Sequence, residues 1–315
     1  MPLDQGGMQL RPAAGVTDVQ VIPVSAPLGA EVRCDDVRQL GETAFSRIYQ
    51  AVLDHLVILI RRQTLTDPEL IAFGRRFGEL DFAPLAKTGK EKARDHPEIV
   101  VVSNVLENGQ AIGVLRDAEV VWHSDNSYRE KPLSYSMLHA LEVPAKGGDT
   151  GFANMYLALE TLSLDMRKRI AGLTLKHDMT YNSAGDLREG FAPANDVRDA
   201  PGPSHPVVRT HPETGCNALY LGRRPNAYIN GLPVEESEEI LNALWSHATQ
   251  AAFTWHHQWR VGDILIWDNR CVMHHRDPFD AGARRVMHRV QCAGDRPRLD
   301  PAAGPSRHPR AAVKS

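Results

Sequence analysis

The sequence lacks the features that mark several classes of protein. Its 315 residues include only four cysteines, and none has the C-x-x-C spacing of zinc or thioredoxin sites. No apolar run approaches the ~18 residues of a transmembrane helix, and no signal peptide is evident at the N-terminus. The net charge of −3 offers no basic surface. We therefore expect a cytoplasmic protein with free thiols and with neither a nucleic-acid nor a membrane partner.

The composition and the two ends of the chain predict its domain organisation. Hydrophobic residues make up 42% and charged residues 24%, which is ordinary for a globular protein. Residues 1–18 are aperiodic and contain Gly and Pro, which predicts a flexible arm. Residues 296–315 are rich in Pro, Ala and Arg, which predicts a disordered tail. The remainder, residues 19–295, is predicted to form a single domain.

Apolar periodicity predicts short strands on both sides of a long, partly helical middle. The predicted helices span residues 42–55, 66–77, 155–172 and 235–250. The predicted strands span residues 56–60, 100–102, 134–142, 253–256, 263–267 and 285–291, while residues 183–206 resemble a loop. This arrangement favours a mainly β fold with flanking helices, namely a double-stranded β-helix (jelly roll).

A histidine and an acidic residue two positions apart project to the same face of a strand, where they can share a metal ion. The chain contains 14 histidines and four such pairs, namely His96/Glu98, His123/Asp125, His211/Glu213 and His275/Asp277. Only His123/Asp125 follows a mixed apolar run, Val120-Val121-Trp122, that can form a strand. In two other pairs proline follows the histidine, and the last pair runs directly into a proline. Local sequence leaves both a metal site and a chance pairing open for His123/Asp125.

Four motifs in a fixed order resemble a known family. They are Trp122-His123-Ser124-Asp125, Gly147-Gly148-Asp149-Thr150, Trp267-Asp268-Asn269-Arg270 with His274 after it, and Arg284-Arg285 with Arg289 after it. Together they resemble the TauD/TfdA family of Fe(II)/2-oxoglutarate-dependent dioxygenases from about Leu28 to Gly294. The segments at 132–138, 208–211 and 231–234 are most similar to the 2,4-dichlorophenoxyacetate dioxygenase branch.

The resemblance implies a metal site. His123, Asp125 and His274 would bind Fe(II), since two histidines and one carboxylate are the ligand set of mononuclear non-haem iron. Its spacing selects His274 rather than His275, which is expected either beside the ligands or exposed. Trp267 is expected either to line the iron pocket or to pack in the core.

The resemblance also implies two anion sites. Arg285 and Thr150 would bind the distal carboxylate of 2-oxoglutarate, because a guanidinium binds a carboxylate through two parallel hydrogen bonds. Arg289 would lie near both 2-oxoglutarate and the anionic group of the prime substrate. Strand alternation predicts that Arg285 and Arg289 share one face.

These residues imply an enzyme that uses Fe(II), 2-oxoglutarate and O2 to hydroxylate a C–H bond of a small anion, with release of succinate and CO2. An aryloxyalkanoate-like carboxylate is favoured. The alternatives are an alkylsulfonate (taurine-like) or sulfate-ester dioxygenase and a biosynthetic amino-acid hydroxylase. A zinc hydrolase is a second class, but it would not need Arg285 with Thr150. A catalytically silent binding protein of the same fold is a third class, and the complete ligand set argues against it.

Two further segments bear on the substrate. Asp81-Phe82-Ala83 stands where the taurine enzymes carry a histidine for the sulfonate, which argues against taurine. Residues 85–95 contain three lysines and one arginine, which predicts a basic lid over the site. The family commonly forms homo-oligomers, so we expect the same of this chain.

Overall fold

A computed structural model describes residues 19–82, 95–114 and 120–303 of the chain. The predicted arm at 1–18 lies outside the described residues, as does nearly all of the predicted lid at 85–95. Within the described part of the chain, no helix has the length and apolar character needed to cross a membrane.

The protein is mainly β. The strands are β1 (Gln20–Pro23), β2 (Ala30–Arg33), β3 (Val57–Ile60), β4 (Val100–Ser103), β5 (Leu106–Glu107), β6 (Gln110–Ala111), β7 (Val120–His123), β8 (Leu133–Glu142), β9 (Thr150–Asn154), β10 (Thr174–Lys176), β11 (Ser204–Pro206), β12 (Val208–Thr210), β13 (Asn217–Leu219), β14 (Tyr228–Ile229), β15 (Thr254–His257), β16 (Ile264–Asp268), β17 (Val272–Arg276) and β18 (Val286–Ala293). The larger sheet has the order β1-β2-β3-β16-β8-β18-β4, and the second sheet has the order β15-β9-β17-β7.

The helices are α1 (Glu42–His55), α2 (Asp67–Arg75), α3 (Met155–Glu160), α4 (Leu164–Ile170) and α5 (Val234–Ala248). Thr66 and Glu69 form a reciprocal capping box that begins α2, next to the helix start predicted at residue 66. The single helix predicted over 155–172 is wrong. Ser163 accepts a hydrogen bond from the Met166 amide and so starts a new helix after α3 has ended.

Both faces of the larger sheet are covered, which explains the unbroken apolar run of β3. Val57 and Leu59 pack into the core that includes residues of the second sheet. Ile58 and Ile60 pack into a separate core beneath α1 and α2. Successive strand residues point to opposite faces, so a strand between two cores must be apolar at every position.

The second sheet faces the first across the inter-sheet core. This core contains Phe152 and Met273 from the second sheet together with Leu265, Trp267 and Met287 from the larger one. Two facing sheets with interdigitating side chains bury a common core between them. The functional residues lie at one end of this core.

The start of the predicted tail makes hydrogen bonds to the end of β12. The Thr210 amide donates to the Arg298 carbonyl at 2.7 Å, and the Asp300 amide donates to Thr210 Oγ1 at 2.8 Å. Arg298 and Asp300 therefore contact Thr210 at the end of β12, while 304–315 fall outside the described residues.

Candidate metal centre

Two neighbouring antiparallel strands bring the predicted metal ligands together. His274 on β17 lies directly opposite His123 on β7, and their rings are 4.2 Å apart. Asp125 Oδ1 lies 3.6 Å from His123 Nε2 and 3.8 Å from His274 Nε2. All three side chains are buried. The strand pairing therefore assembles two nitrogen donors and one oxygen donor around a common centre.

Asp125 is not on the same strand as His123, contrary to the sequence prediction. β7 ends at His123, and Asp125 lies in the turn that follows. Two contacts hold this turn in place. The Asp125 amide donates to Asn269 Oδ1 at 3.3 Å, and Ser124 Oγ donates to the Val272 carbonyl at 3.1 Å. The conformation of this turn, rather than alternation along a strand, therefore directs the carboxylate toward the histidines.

The environment keeps Asp125 ionised. Its Oδ2 accepts hydrogen bonds from Ser136 Oγ at 2.7 Å and from Gln291 Nε2 at 3.1 Å, while Arg289 Nη1 lies 3.4 Å from Oδ1. Burial alone would raise the pKa of Asp125, but Arg289 and the two histidines hold that pKa well below its usual range. An ionised, oriented carboxylate is what a metal ligand requires.

The two histidines direct Nε2 toward Asp125. His123 Nδ1 donates to the Val121 carbonyl at 2.8 Å, which leaves the Nε2 lone pair facing Asp125. A hydrogen bond of this kind from the second ring nitrogen orients metal-binding histidines. Burial lowers the pKa of His274 well below its usual value, and the nearby His123 acts in the same direction. The three donors therefore match the chemistry of an Fe(II) site.

A buried polar chain behind the carboxylate links two of the recognised motifs. Trp267 Nε1 donates to Asn269 Oδ1 at 2.9 Å, and Asn269 Nδ2 donates to Ser136 Oγ at 2.8 Å. Trp267 is 2% exposed, and its ring lies 4.8 Å from that of His274. It thus fulfils both of the expected roles, since it packs in the core and also against a candidate ligand.

Sequence reasoning missed Ser136 and Gln291, although both touch Asp125. Each lies on a strand that was predicted, and each is a polar residue in a mainly apolar run. The two residues are register partners on β8 and β18. A buried polar residue on a strand is the available signal, because such groups require hydrogen-bond partners.

Arg285 is a buried cation without a partner for much of its guanidinium. It is 2% exposed, and neither Nε nor Nη1 has a hydrogen-bond partner among the described residues. Burial lowers the pKa of Arg285 to about 9, and the charge of Arg276 acts in the same direction. A buried charge of this kind is costly unless an anion pairs with it. The buried, partly unpartnered guanidinium of Arg285 can therefore pair with an anion.

Thr150 and Arg285 meet at the same indole. Trp259 Nε1 donates to Thr150 Oγ1 at 2.9 Å, and the Arg285 guanidinium lies 6.0 Å from the centre of the Trp259 ring. On β18, Arg289 and Gln291 both reach Asp125, so the odd-numbered residues of this strand face the metal centre. Arg285 is also odd-numbered and immediately precedes β18. Its position is therefore compatible with the prediction that Arg285 and Arg289 lie on the same face.

His275 is neither exposed nor among the ligands around Asp125. It is 7% exposed, and its ring lies 4.1 Å from that of Trp122. As the neighbour of His274 on β17, it points to the opposite face of the sheet. The expectation of an exposed His275 is therefore wrong, and the selection of His274 agrees with the geometry.

A family model and a known dioxygenase both match most of this chain. The family model described as taurine catabolism dioxygenase TauD, TfdA family matches residues 20–291. The alpha-ketoglutarate-dependent 2,4-dichlorophenoxyacetate dioxygenase of Cupriavidus pinatubonensis is 35% identical over 285 residues, which cover 87% of this chain and 97% of that protein.

Solved structures agree. A putative alpha-ketoglutarate-dependent taurine dioxygenase from Burkholderia xenovorans is 31% identical in sequence to this chain, with a TM-score of 0.73. The match covers 91% of this chain and 93% of that protein chain. AAD-2 in complex with Mn(II) and N-oxalylglycine is 27% identical with a TM-score of 0.70, covering 90% of this chain and 100% of its own.

Proposed function

Because this chain belongs to the TauD/TfdA dioxygenase family, we propose that it hydroxylates a C–H bond of a small aryloxyalkanoate-like carboxylate. The reaction class follows from the family. The protein is an Fe(II)- and 2-oxoglutarate-dependent dioxygenase that acts on a small anionic substrate and releases succinate and CO2. The residues that perform each step and the identity of the substrate form the proposal.

His123, Asp125 and His274 are proposed to hold Fe(II). The observation that carries this assignment is the convergence of two imidazoles and one ionised carboxylate in a buried site. With 2-oxoglutarate and O2, the bound iron supplies the oxidising chemistry. The protein supplies the orientation of the ligands, which Ser136 and Gln291 maintain by donating to Asp125.

Arg285 and Thr150 are proposed to bind the distal carboxylate of 2-oxoglutarate. The unpartnered Nε and Nη1 leave much of the Arg285 guanidinium available to an incoming carboxylate. The Thr150 hydroxyl accepts from Trp259, so its own proton remains available for the same anion. An incoming carboxylate would satisfy a buried charge that the described residues leave uncompensated.

Arg289 is proposed to bind the anionic group of the prime substrate. Its Nη1 lies beside Asp125, and its Nε has no hydrogen-bond partner among the described residues. A guanidinium that spans a metal ligand and a substrate carboxylate holds the substrate close to the metal. Proximity of this kind converts binding energy into rate.

The surroundings favour a carboxylate over taurine. Asp81 stands in the segment where the taurine enzymes carry their sulfonate-binding histidine, and its Oδ2 pairs with Arg129 Nη1 at 2.7 Å. A carboxylate already paired with an arginine offers no donor to a sulfonate. An alkylsulfonate or sulfate-ester dioxygenase, and an amino-acid hydroxylase, are the alternatives.

The domain organisation, assembly and location of the protein are also proposed. We propose that residues 19–295 form one catalytic domain with a double-stranded β-helix (jelly roll), which the two facing sheets support. A homo-oligomer and a cytoplasmic location are also proposed. The four cysteines, which are all free, are consistent with a reducing compartment.

Succinate release tests the substrate assignment. The protein with Fe(II), ascorbate and 2-oxoglutarate would be assayed against matched aryloxyalkanoates, alkylsulfonates, sulfate esters and free amino acids. We expect succinate release to be coupled to product formation with an aryloxyalkanoate. Coupled turnover with a sulfonate or sulfate ester alone would select the first alternative instead, and coupled turnover with an amino acid alone would select the second.

A further inference from the structure

A second group of metal-binding side chains lies on the opposite face of the sheet that carries the iron ligands. It comprises His256 on β15, His275 on β17 and Asp277 just beyond β17. We propose that these three residues form a separate binding site for a divalent transition metal of the zinc, nickel and copper class. This site is additional to the proposed function and does not depend on it.

Strand register places the two histidines in one row. Gly151 on β9 is the register partner of His256 on one side and of His275 on the other. The two imidazole rings, which lie on strands separated by β9, are 5.1 Å apart. Side chains that are directly opposite across a sheet lie on the same face, so the rings converge above Gly151.

Gly151 makes this convergence possible. A Cβ atom at position 151 would lie 2.3 Å from His275 Nε2 and 3.0 Å from His256 Cε1. Any side chain there would therefore displace the His275 ring. The glycine leaves a shallow space on the sheet that the two imidazoles occupy.

Asp277 completes the group at distances that suit a bridging ion. Its Oδ1 lies 3.7 Å from His275 Nδ1, and its Oδ2 lies 4.0 Å from His256 Nδ1. These separations exceed direct hydrogen-bond length. Zinc bonds nitrogen and carboxylate oxygen at about 2.0–2.2 Å, so an ion between the groups reaches both with little movement.

One ligand of the group is preorganised and two are accessible. His275 is 9% exposed at its side chain, packs against Trp122, and directs its Nδ1 toward Asp277. The side chains of His256 and Asp277 are 46% and 40% exposed. An ion can thus enter from solvent and retain open coordination positions.

The ligand types select the class of metal. Two imidazoles and one carboxylate favour zinc, nickel and copper over calcium or magnesium, which prefer oxygen ligands. The set resembles that of the iron centre in composition, but it is exposed on one side. The two centres share β17, whose consecutive residues His274 and His275 face opposite ways.

Counting bound Zn(II) tests the proposal. The full-length protein would be dialysed to equilibrium against Zn(II), and the bound metal would be counted by elemental analysis. We expect two equivalents for the wild type and one for His256→Ala. Asp277→Asn should weaken the second equivalent by at least tenfold. His123→Ala should retain one equivalent, because it disrupts only the other centre.

His96→Ala is the matched control, since this histidine also belongs to a His-x-acid pair and is partly exposed. It should retain both equivalents. A single equivalent that His256→Ala retains and His123→Ala loses would overturn the proposal. So would two equivalents in His256→Ala, because the second ion would then lie elsewhere.

Discussion

His123 and His274 lie opposite each other on adjacent antiparallel strands, and their imidazole rings are 4.2 Å apart. The carboxylate of Asp125 approaches both rings from the turn after β7. Because the pairing of β7 with β17 sets this distance, the donor set depends on long-range sheet register. The side chains around it make separate contributions that substitutions can resolve.

Removing the carboxylate should abolish catalysis. Asp125→Ala leaves two neutral imidazoles, which cannot replace the charged ligand. We expect no succinate formation above background and loss of bound Fe(II). Asp54→Ala, on the surface of α1, should retain both. Undiminished succinate release from Asp125→Ala would show that the iron centre is misassigned.

Ser136→Ala should weaken the binding of Fe(II) without removing a metal ligand. The substitution deletes the 2.7 Å hydrogen bond to Asp125, and losses of such supporting contacts commonly reduce metal affinity by about 10–100-fold. The readout is the Fe(II) dissociation constant. Ser134→Ala is the control, because Ser134 lies on the same strand but donates to the carbonyl of Ala293. Equal effects from the two variants would contradict the role of Ser136.

Arg285→Met should weaken 2-oxoglutarate binding while raising the stability of the ligand-free protein. The charge-assisted bonds to the cosubstrate are worth about 1.5–3 kcal/mol each, so we expect a rise in KM for 2-oxoglutarate of at least tenfold. The replacement also removes a buried, uncompensated cation, which should raise Tm in the absence of ligand.

Arg284→Met is the matched control for that variant. Arg284 is the preceding residue, but it is exposed and pairs with Glu142 at 2.6 Å. It should leave KM for 2-oxoglutarate unchanged. An unaltered KM in Arg285→Met would exclude Arg285 from the cosubstrate site.

The main effect of Arg289→Ala should be on the coupling of succinate release to product formation. Loss of the guanidinium removes the proposed partner of the substrate anion and also a charge that depresses the pKa of Asp125. We expect a higher KM for the prime substrate and a larger fraction of succinate released without product. The measurement is the ratio of product to succinate. A ratio equal to that of the wild type would argue against an anionic group at Arg289.

The metal-free protein should become less stable as the pH is lowered, because His177 is buried. Burial lowers the pKa of His177 well below its ordinary value of 6.5, and His205 acts in the same direction. Below about pH 6.5 the unfolded chain takes up a proton that the folded chain excludes. Each such histidine costs up to about 1.4 kcal/mol per pH unit, until the pH reaches the lowered folded-state pKa.

Replacement of His177 isolates this contribution. Urea unfolding between about pH 5 and pH 6.5 should show a shallower pH dependence for His177→Gln than for the wild type. His96→Gln, at a partly exposed position, should leave the slope unchanged. An identical slope in His177→Gln would mean that this ring takes up a proton in the folded state.

Short-range pattern predicted much of the fold. Helical spacing from 42 to 55 matches α1, because an amphipathic period is a local property of the chain. The same reasoning joined α3 and α4 into one helix, since the cap at Ser163 that separates them is a single hydrogen bond within a continuous apolar stripe. β9, which carries Thr150, was not predicted, because its small and polar residues have no clear alternation.

The sequence by itself determined the donor types, their order along the chain and the family they resemble. Only the tertiary structure decided that Ser136 and Gln291 hold Asp125 and that Gly151 lies beneath two imidazoles. Periodicity specifies which face a residue occupies within its own strand. It does not specify which distant segments become neighbours, and each of these contacts joins segments that are far apart in the sequence.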